Sequence, residues 1–266
     1  MAAFAVDGGA MAIGVRKGPE MLRILQIALI LGAGLGLLSA PAPGRQSAPP
    51  ASAPTTRPAN DPQRWKADIA AFTALDAKNT PPADALLFVG SSSIVHWETA
   101  RAFPEWRVIN RGFGGSITAD VTYYAADVIV KYRPRAIVFY SGDNDVASGL
   151  SAEQVAGDFA ALLQRIRKDL PQTPVIVLSI KPSRSRWALW PVMKDANARI
   201  AAIGKTDRNF SFVDVGTVLL NERGEPRLEL YESDQLHLNA AGYAAWNRVV
   251  TPVLKQVLSA SQGDKR

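Results

Sequence analysis

Four short clusters in the chain bring together the residue types that acyl transfer needs. Gly90-Ser91-Ser92-Ser93 offers hydroxyls at the end of an apolar run. Asn110-Arg111-Gly112-Phe113-Gly114-Gly115-Ser116 offers backbone amides that no side chain screens. Gly142-Asp143-Asn144-Asp145 adds a carboxamide donor, and Asp234-Gln235-Leu236-His237 a carboxylate and an imidazole. A serine hydroxyl is a weak nucleophile until a base takes its proton. The Asp-x-x-His spacing on one turn lets the carboxylate accept from the imidazole and fix its tautomer. Glycine amides and a carboxamide are the donors that hold a developing oxyanion. Among the three serines Ser92 is preferred, because a strand-to-helix turn would aim it at a helix start with free amides. Each signal also has an ordinary reading. A serine after a strand caps a helix, a glycine pair makes a turn, Asn144 braces its loop, and Asp234 and His237 are unrelated surface residues. His96, one helical turn beyond Ser92, is the competing base. Its nearest carboxylate in sequence is Glu98, so it ranks behind His237.

Something must carry these clusters to one place. β-Rich runs at Leu86–Val89, Arg107–Asn110, Ala136–Tyr140, Pro174–Ile180 and Phe212–Val215 read as strands. Helical periods lie between them: Val121, Ala125, Val128 and Tyr132; Val155, Phe159, Leu162 and Ile166, opened by a Ser151/Gln154 capping box; and Val192, Ala196, Ile200 and Ile203. A last stripe, Tyr243, Trp246, Val250, Val253 and Val257, has Asn239 as its cap. Alternation of this kind predicts a parallel five-stranded sheet with helices on both faces. Ligands of such sheets sit beyond the carboxyl ends of the strands, and all four clusters follow strands.

Composition narrows the function. The net charge of +6 falls to +4 once residues 1–62 are set aside, and the basic residues are scattered without an aromatic-interleaved stripe. Nucleic acid is therefore not an expected partner. With no cysteine, disulfides, thiolate metal sites and a cysteine nucleophile are excluded. Two histidines argue against a multi-histidine metal site, and no cofactor is expected.

Arg16, Lys17 and Arg23 precede the uncharged run Ile24–Ala40, the form of a secretory signal. A Pro/Ala/Ser-rich linker over 41–62 follows, which leaves that run nothing to pack against. Residues 1–40 thus read as an N-terminal extension with an export signal or membrane tether, and 63–266 as the catalytic domain. Pro41, directly after the best small-residue site at Ala40, disfavours cleavage and keeps the anchor alternative open.

Over about residues 84–258 these blocks resemble the SGNH (GDSL-like) hydrolase family. Gly90-Ser91-Ser92 is similar to its nucleophile turn, Gly115 to its glycine block, Gly142-Asp143-Asn144-Asp145 to its Gly-x-Asn-Asp, and Asp234-Gln235-Leu236-His237 to its Asp-x-x-His. The resemblance implies a flavodoxin-like three-layer α/β/α sandwich and no metal. It also implies Ser92 as nucleophile, His237 as base, Asp234 as its orienter, and Ser92, Gly115 and Asn144 as the oxyanion hole. Ser91 departs from the pattern, since aspartate is usual there.

The substrate has to be read from the loops. Arg111, Arg186, Trp187 and Trp190 are the candidate substrate-binding residues, suited to an anionic or sugar-like ester. Core tryptophans and solvated arginines are the plain alternative. The expected partner is a small-molecule or carbohydrate ester with a short acyl group. The rivals are a lysophospholipase or thioesterase on lipid-like substrates, and an inactive module that binds acylated glycan. A binder needs no nucleophile–base pair, which counts against the last.

Overall fold

The computed structural model describes residues 60–263. In chain order the elements are α1 (Lys66–Lys78), β1 (Leu86–Gly90), α2 (Ser92–Val95), α3 (Thr99–Ala102), β2 (Val108–Gly112), α4 (Thr118–Tyr123) and α5 (Ala125–Val128). Then come β3 (Ala136–Tyr140), α6 (Asp143–Ala147), α7 (Ala152–Asp169), β4 (Val175–Leu178), α8 (Trp190–Ile203), β5 (Phe210–Val213) and α9 (Ala240–Gly263). The strands pair in parallel in the order β2-β1-β3-β4-β5. This is the flavodoxin-like doubly wound order, whose direction reverses between β1 and β3.

Every residue of β1 and β3 is buried, because side chains alternate across a sheet covered on both faces. Leu87, Val89, Ile137 and Phe139 join one apolar layer with Val121, Val155, Phe159 and Ile200. Leu86, Phe88, Val138 and Tyr140 join the other with Trp97, Phe103, Trp246, Val250 and Leu254. Each such side chain contributes roughly 1.5–3 kcal/mol on leaving water, which makes these two layers the mechanical base of the site. Register then does the positioning: Gly90 lies opposite Gly112 on one side and Tyr140 on the other. Three strands therefore end at one level, and the segments after them emerge side by side.

Some expectations shift. The stripe Val121–Tyr132 is not one helix: the chain leaves helical geometry at Tyr124 (φ −93°, ψ 15°) and Ile129 (φ −127°, ψ −65°). Val121, Ala125 and Val128 stay buried all the same, and Tyr132 is half-buried against the same layer. β5 begins two residues before its expected start, at the half-buried sheet edge where apolar patterning is weakest. Contacts with the domain begin a few residues before 63. Asn60 Nδ2 donates to Asp120 (2.7 Å), and the Pro62 carbonyl accepts from the Tyr124 hydroxyl (3.0 Å). The expected export signal or tether at residues 1–40 and most of the expected linker lie outside the described residues.

Candidate active site

The turn after β1 is built on a close approach of two strands. Gly90 has φ +140°, and a Cβ there would lie 1.8 Å from the Tyr140 carbonyl oxygen. Only glycine fits. Ser91, buried, donates its amide to that same Tyr140 oxygen (3.1 Å) and stands as N-cap of α2 with no side-chain cap bond. Ser92 is the first residue of the helix, so its amide has no intrahelical acceptor.

The Ser92 hydroxyl lies 2.9 Å from His237 Nε2, although 145 residues separate them. On the other side of the ring, Nδ1 is 2.5 Å from Asp234 Oδ2. Asp234 Oδ1 in turn accepts the amides of Leu236 and His237, each at 2.9 Å. Burial acts to raise the Asp234 pKa, but these two amides and the imidazole outweigh it and hold the carboxyl down at about 2. The loop carrying the pair closes through the Glu232 amide to the His237 carbonyl (2.8 Å), with Gln235 at φ +55°. Its flank is capped by Asn239, whose side chain accepts the Ala241 and Gly242 amides at the start of α9.

Opposite the serine stands the glycine segment. A side chain on Gly114 would touch Ser92 Cβ at 3.8 Å, and Gly115 has φ +81°. The Gly115 amide has no acceptor among the described residues. Asn144 gives one of its two side-chain N–H groups to the Ser116 carbonyl (3.0 Å), which leaves the other available. Asp145 braces the same segment: its carboxylate accepts the Thr118 amide (2.9 Å) and the Ser141 hydroxyl (3.2 Å). With no cation against it, burial pushes its pKa up to about 6. Asp143 differs. Burial would raise it too, but Lys181 Nζ (2.8 Å) and Arg186 Nη1 (3.3 Å) outweigh that and hold its pKa below the usual value. Asp143 also accepts the Asn144 amide at 3.1 Å, so this buried ion cluster supports the carboxamide.

The four clusters come together: the Ser92 hydroxyl, His237 imidazole and Asp234 carboxylate stand in series, Gly114 lies against Ser92, and Asn144 reaches the Ser116 carbonyl. Not every expected residue joins them. Arg111 does not: it shares the Ile109 face of β2, and its guanidinium is buried against Asp76, the Tyr132 hydroxyl and the Asn110 carbonyl. Strand parity decides this, since it sends Arg111 into the α1 layer. Trp187 and Trp190 stack on each other (6.1 Å between centroids, 17° between planes) and are half-buried, Trp190 against the core. Arg186 stays beside the site through Asp143. Two further neighbours stand outside the expected site residues, one of them the competing base His96. The His96 ring packs edge-on to His237 at 4.9 Å, signalled only by its one-turn spacing from Ser92. Trp65 faces Gly115, and no motif announces it.

A cavity of about 810 Å³ opens beside the imidazole–carboxylate pair, with His96, Glu98, Arg101, Glu232, Asp234 and His237 in its wall.

Comparison with known proteins places this geometry. The sequence model of the GDSL-like lipase/acylhydrolase family matches residues 90–245, more than half of the chain. The platelet-activating factor acetylhydrolase IB subunit alpha1 of Pongo abelii is 30% identical over 230 residues, covering 80% of this chain and 93% of the relative. The human subunit is 28% identical over 226 residues, with the same coverage. Among solved structures, a GDSL-like lipase from Bacteroides thetaiotaomicron superposes with a TM-score of 0.63 at 19% identity, covering 71% of this chain and 98% of that one. An acetylxylan esterase from Geobacillus stearothermophilus superposes with a TM-score of 0.54 at 14% identity, covering 66% and 95%, and shares the fold. The chain belongs to the GDSL-like lipase/acylhydrolase family.

Proposed function

We propose that this protein is a serine hydrolase of short-acyl carboxylic esters of polar alcohols, O-acetyl sugars among them, working through an acyl-enzyme on Ser92. One observation carries the reading: the Ser92–His237–Asp234 chain of contacts at 2.9 and 2.5 Å, assembled from opposite ends of the domain. His237 Nε2 takes the hydroxyl proton as Oγ adds to the ester carbonyl. The amides of Ser92 and Gly115 and the free N–H of Asn144 receive the oxyanion. Collapse breaks the bond to the alcohol, which leaves with the proton from His237. Water then repeats the sequence and releases the acid. Asp234 stays anionic throughout and faces the imidazolium.

The polar, short-acyl part rests on the lining. The cavity beside His237 carries Glu98, Arg101 and Glu232, and the loops near the nucleophile carry the half-buried Asn144 and Arg186. A long acyl chain needs contiguous apolar surface, worth about 0.8 kcal/mol per buried methylene. The curated relatives carry acetylhydrolase in their name, which favours the acetyl group and keeps a second reading in play: an acetyl ester on a lipid-like alcohol. The pattern at residues 16–40 supports export, with the domain free or tethered.

A fluorophosphonate should label the intact protein and fail to label Ser92→Ala. Labelling that persists in Ser92→Ala and vanishes in Ser91→Ala or Ser93→Ala would move the nucleophile. In a series of aryl esters, specificity constants should fall from acetyl to decanoyl. A rise would refute the short-acyl reading.

A further inference from the structure

The segment that leads out of the linker lies on the glycine proposed to hold the oxyanion. Trp65 Cη2 is so placed that a Cβ on Gly115 would lie 3.3 Å from it. The same indole meets Phe113 edge-to-face at 5.7 Å, so it grips the chain on both sides of Gly114. Trp65 is fixed from behind. The Arg64 guanidinium sits 5.0 Å over its ring and reaches Asp120 at 3.1 Å. Asp120 takes Asn60 (2.7 Å) and the Ile117 amide (3.0 Å), which ties the residues just after Ser116 to the same segment. Gln63 Nε2 donates to the Tyr123 hydroxyl at 2.7 Å.

A glycine at φ +81° has more backbone freedom than any other residue, and an oxyanion donor works only if it is held in place before charge develops. Gly115 has no side chain with which to hold itself. The atoms nearest to where a Cβ on Gly115 would stand, chain neighbours aside, are Trp65 Cη2 and Cζ2, at 3.3 and 3.8 Å. We propose that Trp65 is a positioning residue for the Gly115 amide, and that the segment 60–65 completes the oxyanion site from outside the four sequence blocks. The inference rests on the serine-hydrolase reading and adds a residue to it.

The test compares Trp65→Ala and Trp65→Phe with the parent in the full chain, using 4-nitrophenyl acetate as substrate and phenylboronic acid as a tetrahedral mimic. Trp65→Ala should lose about 10- to 100-fold in kcat with KM within about threefold, since the amide acts on the transition state. Boronate affinity should fall in parallel, and Trp65→Phe should recover most of both. A filling role would lower the melting temperature and leave the kcat-to-KM split and the boronate affinity alone, and that result overturns the proposal. If Trp65→Ala does not fold, Trp65→Phe against Trp65→Leu decides: equal kcat overturns it, a clear loss in Leu sustains it. Ser92→Ala runs alongside. Full turnover by Ser92→Ala refutes the nucleophile reading, whereas a dead Ser92→Ala with an undiminished Trp65→Ala refutes this inference alone.

Discussion

Asp234→Asn is the least intuitive perturbation of the site, because the isosteric change should be at least as damaging as removing the side chain. Two amides fix the orientation of whatever stands at 234: Leu236 and His237 both donate to one oxygen at 2.9 Å. An asparagine keeps those bonds only with its carbonyl towards them, so its NH2 must face His237 Nδ1, now 2.5 Å from an oxygen. The ring must then accept at Nδ1 and carry its proton on Nε2. That proton points at Ser92 Oγ, 2.9 Å away, where the mechanism needs a lone pair. The expected loss in kcat is about ten-thousand-fold, or roughly 5.5 kcal/mol of transition-state stabilisation, with KM little changed. Asp234→Ala leaves the tautomer free and should lose no more than Asp234→Asn. Steady-state rates on 4-nitrophenyl acetate, with the acyl burst measured to count active sites, give both numbers. An Asp234→Asn enzyme within tenfold of the parent would refute the tautomer argument. So would an Asp234→Ala enzyme far worse than it.

Asn144→Ala should lower kcat by about a hundred- to a thousand-fold and leave KM nearly unchanged, because one oxyanion donor is lost; a raised KM with normal kcat would make Asn144 a ground-state binder. Gly90→Ala should fail to fold or lose several kcal/mol of stability in denaturant melts, since its Cβ would meet the Tyr140 oxygen at 1.8 Å; a melt close to the parent's would contradict the strand register. Asp145 binds its proton more tightly folded than unfolded, so its linkage favours the fold below about pH 4 and is lost as pH rises to about 6. Asp145→Asn should remove a decline on the order of 3 kcal/mol over that window, read as melting temperature against pH; identical slopes in both proteins would refute it. Asp234 has the opposite sign: its contribution is complete above about pH 4 and is lost only as pH falls through about 2, so an activity loss near pH 5 belongs to another group.

The fold was legible where the sheet is buried on both faces. β3 falls on its expected boundaries and β1 within one residue, because five consecutive apolar residues with a glycine or serine after them admit few other readings. The Ser151/Gln154 box and the Asn239 cap were legible for a local reason: both bond to backbone within three residues. α1 escaped notice because Ile69 is its one buried residue. In the site, the four blocks could be named from residue types and spacing. Arg111 could not be placed, because one residue of strand parity separates the site edge from the α1 layer, and chemistry alone does not reveal parity. Trp65 and His96 act by contact across 50 and 141 residues, and neither carries a motif.

The two carboxylates that flank Asn144 explain how the site stays both rigid and costly. Asp143 is neutralised by Lys181 and Arg186, so its burial is offset and its bond to the Asn144 amide is secure. Asp145, one residue beyond Asn144, holds the Thr118 amide with no cation beside it, and its raised pKa records that cost. Gln235 adds a left-handed backbone at φ +55°, typically worth on the order of 1 kcal/mol for a side chain of its size. Each of these costs stands next to a group that must be held still: Asn144, the Gly115 segment, and the Asp234–His237 turn. Relief of one of them should therefore raise stability and lower turnover together. Ser91 is the instructive contrast. Its buried hydroxyl has no partner and holds nothing in the site, so Ser91→Ala should be free of that trade.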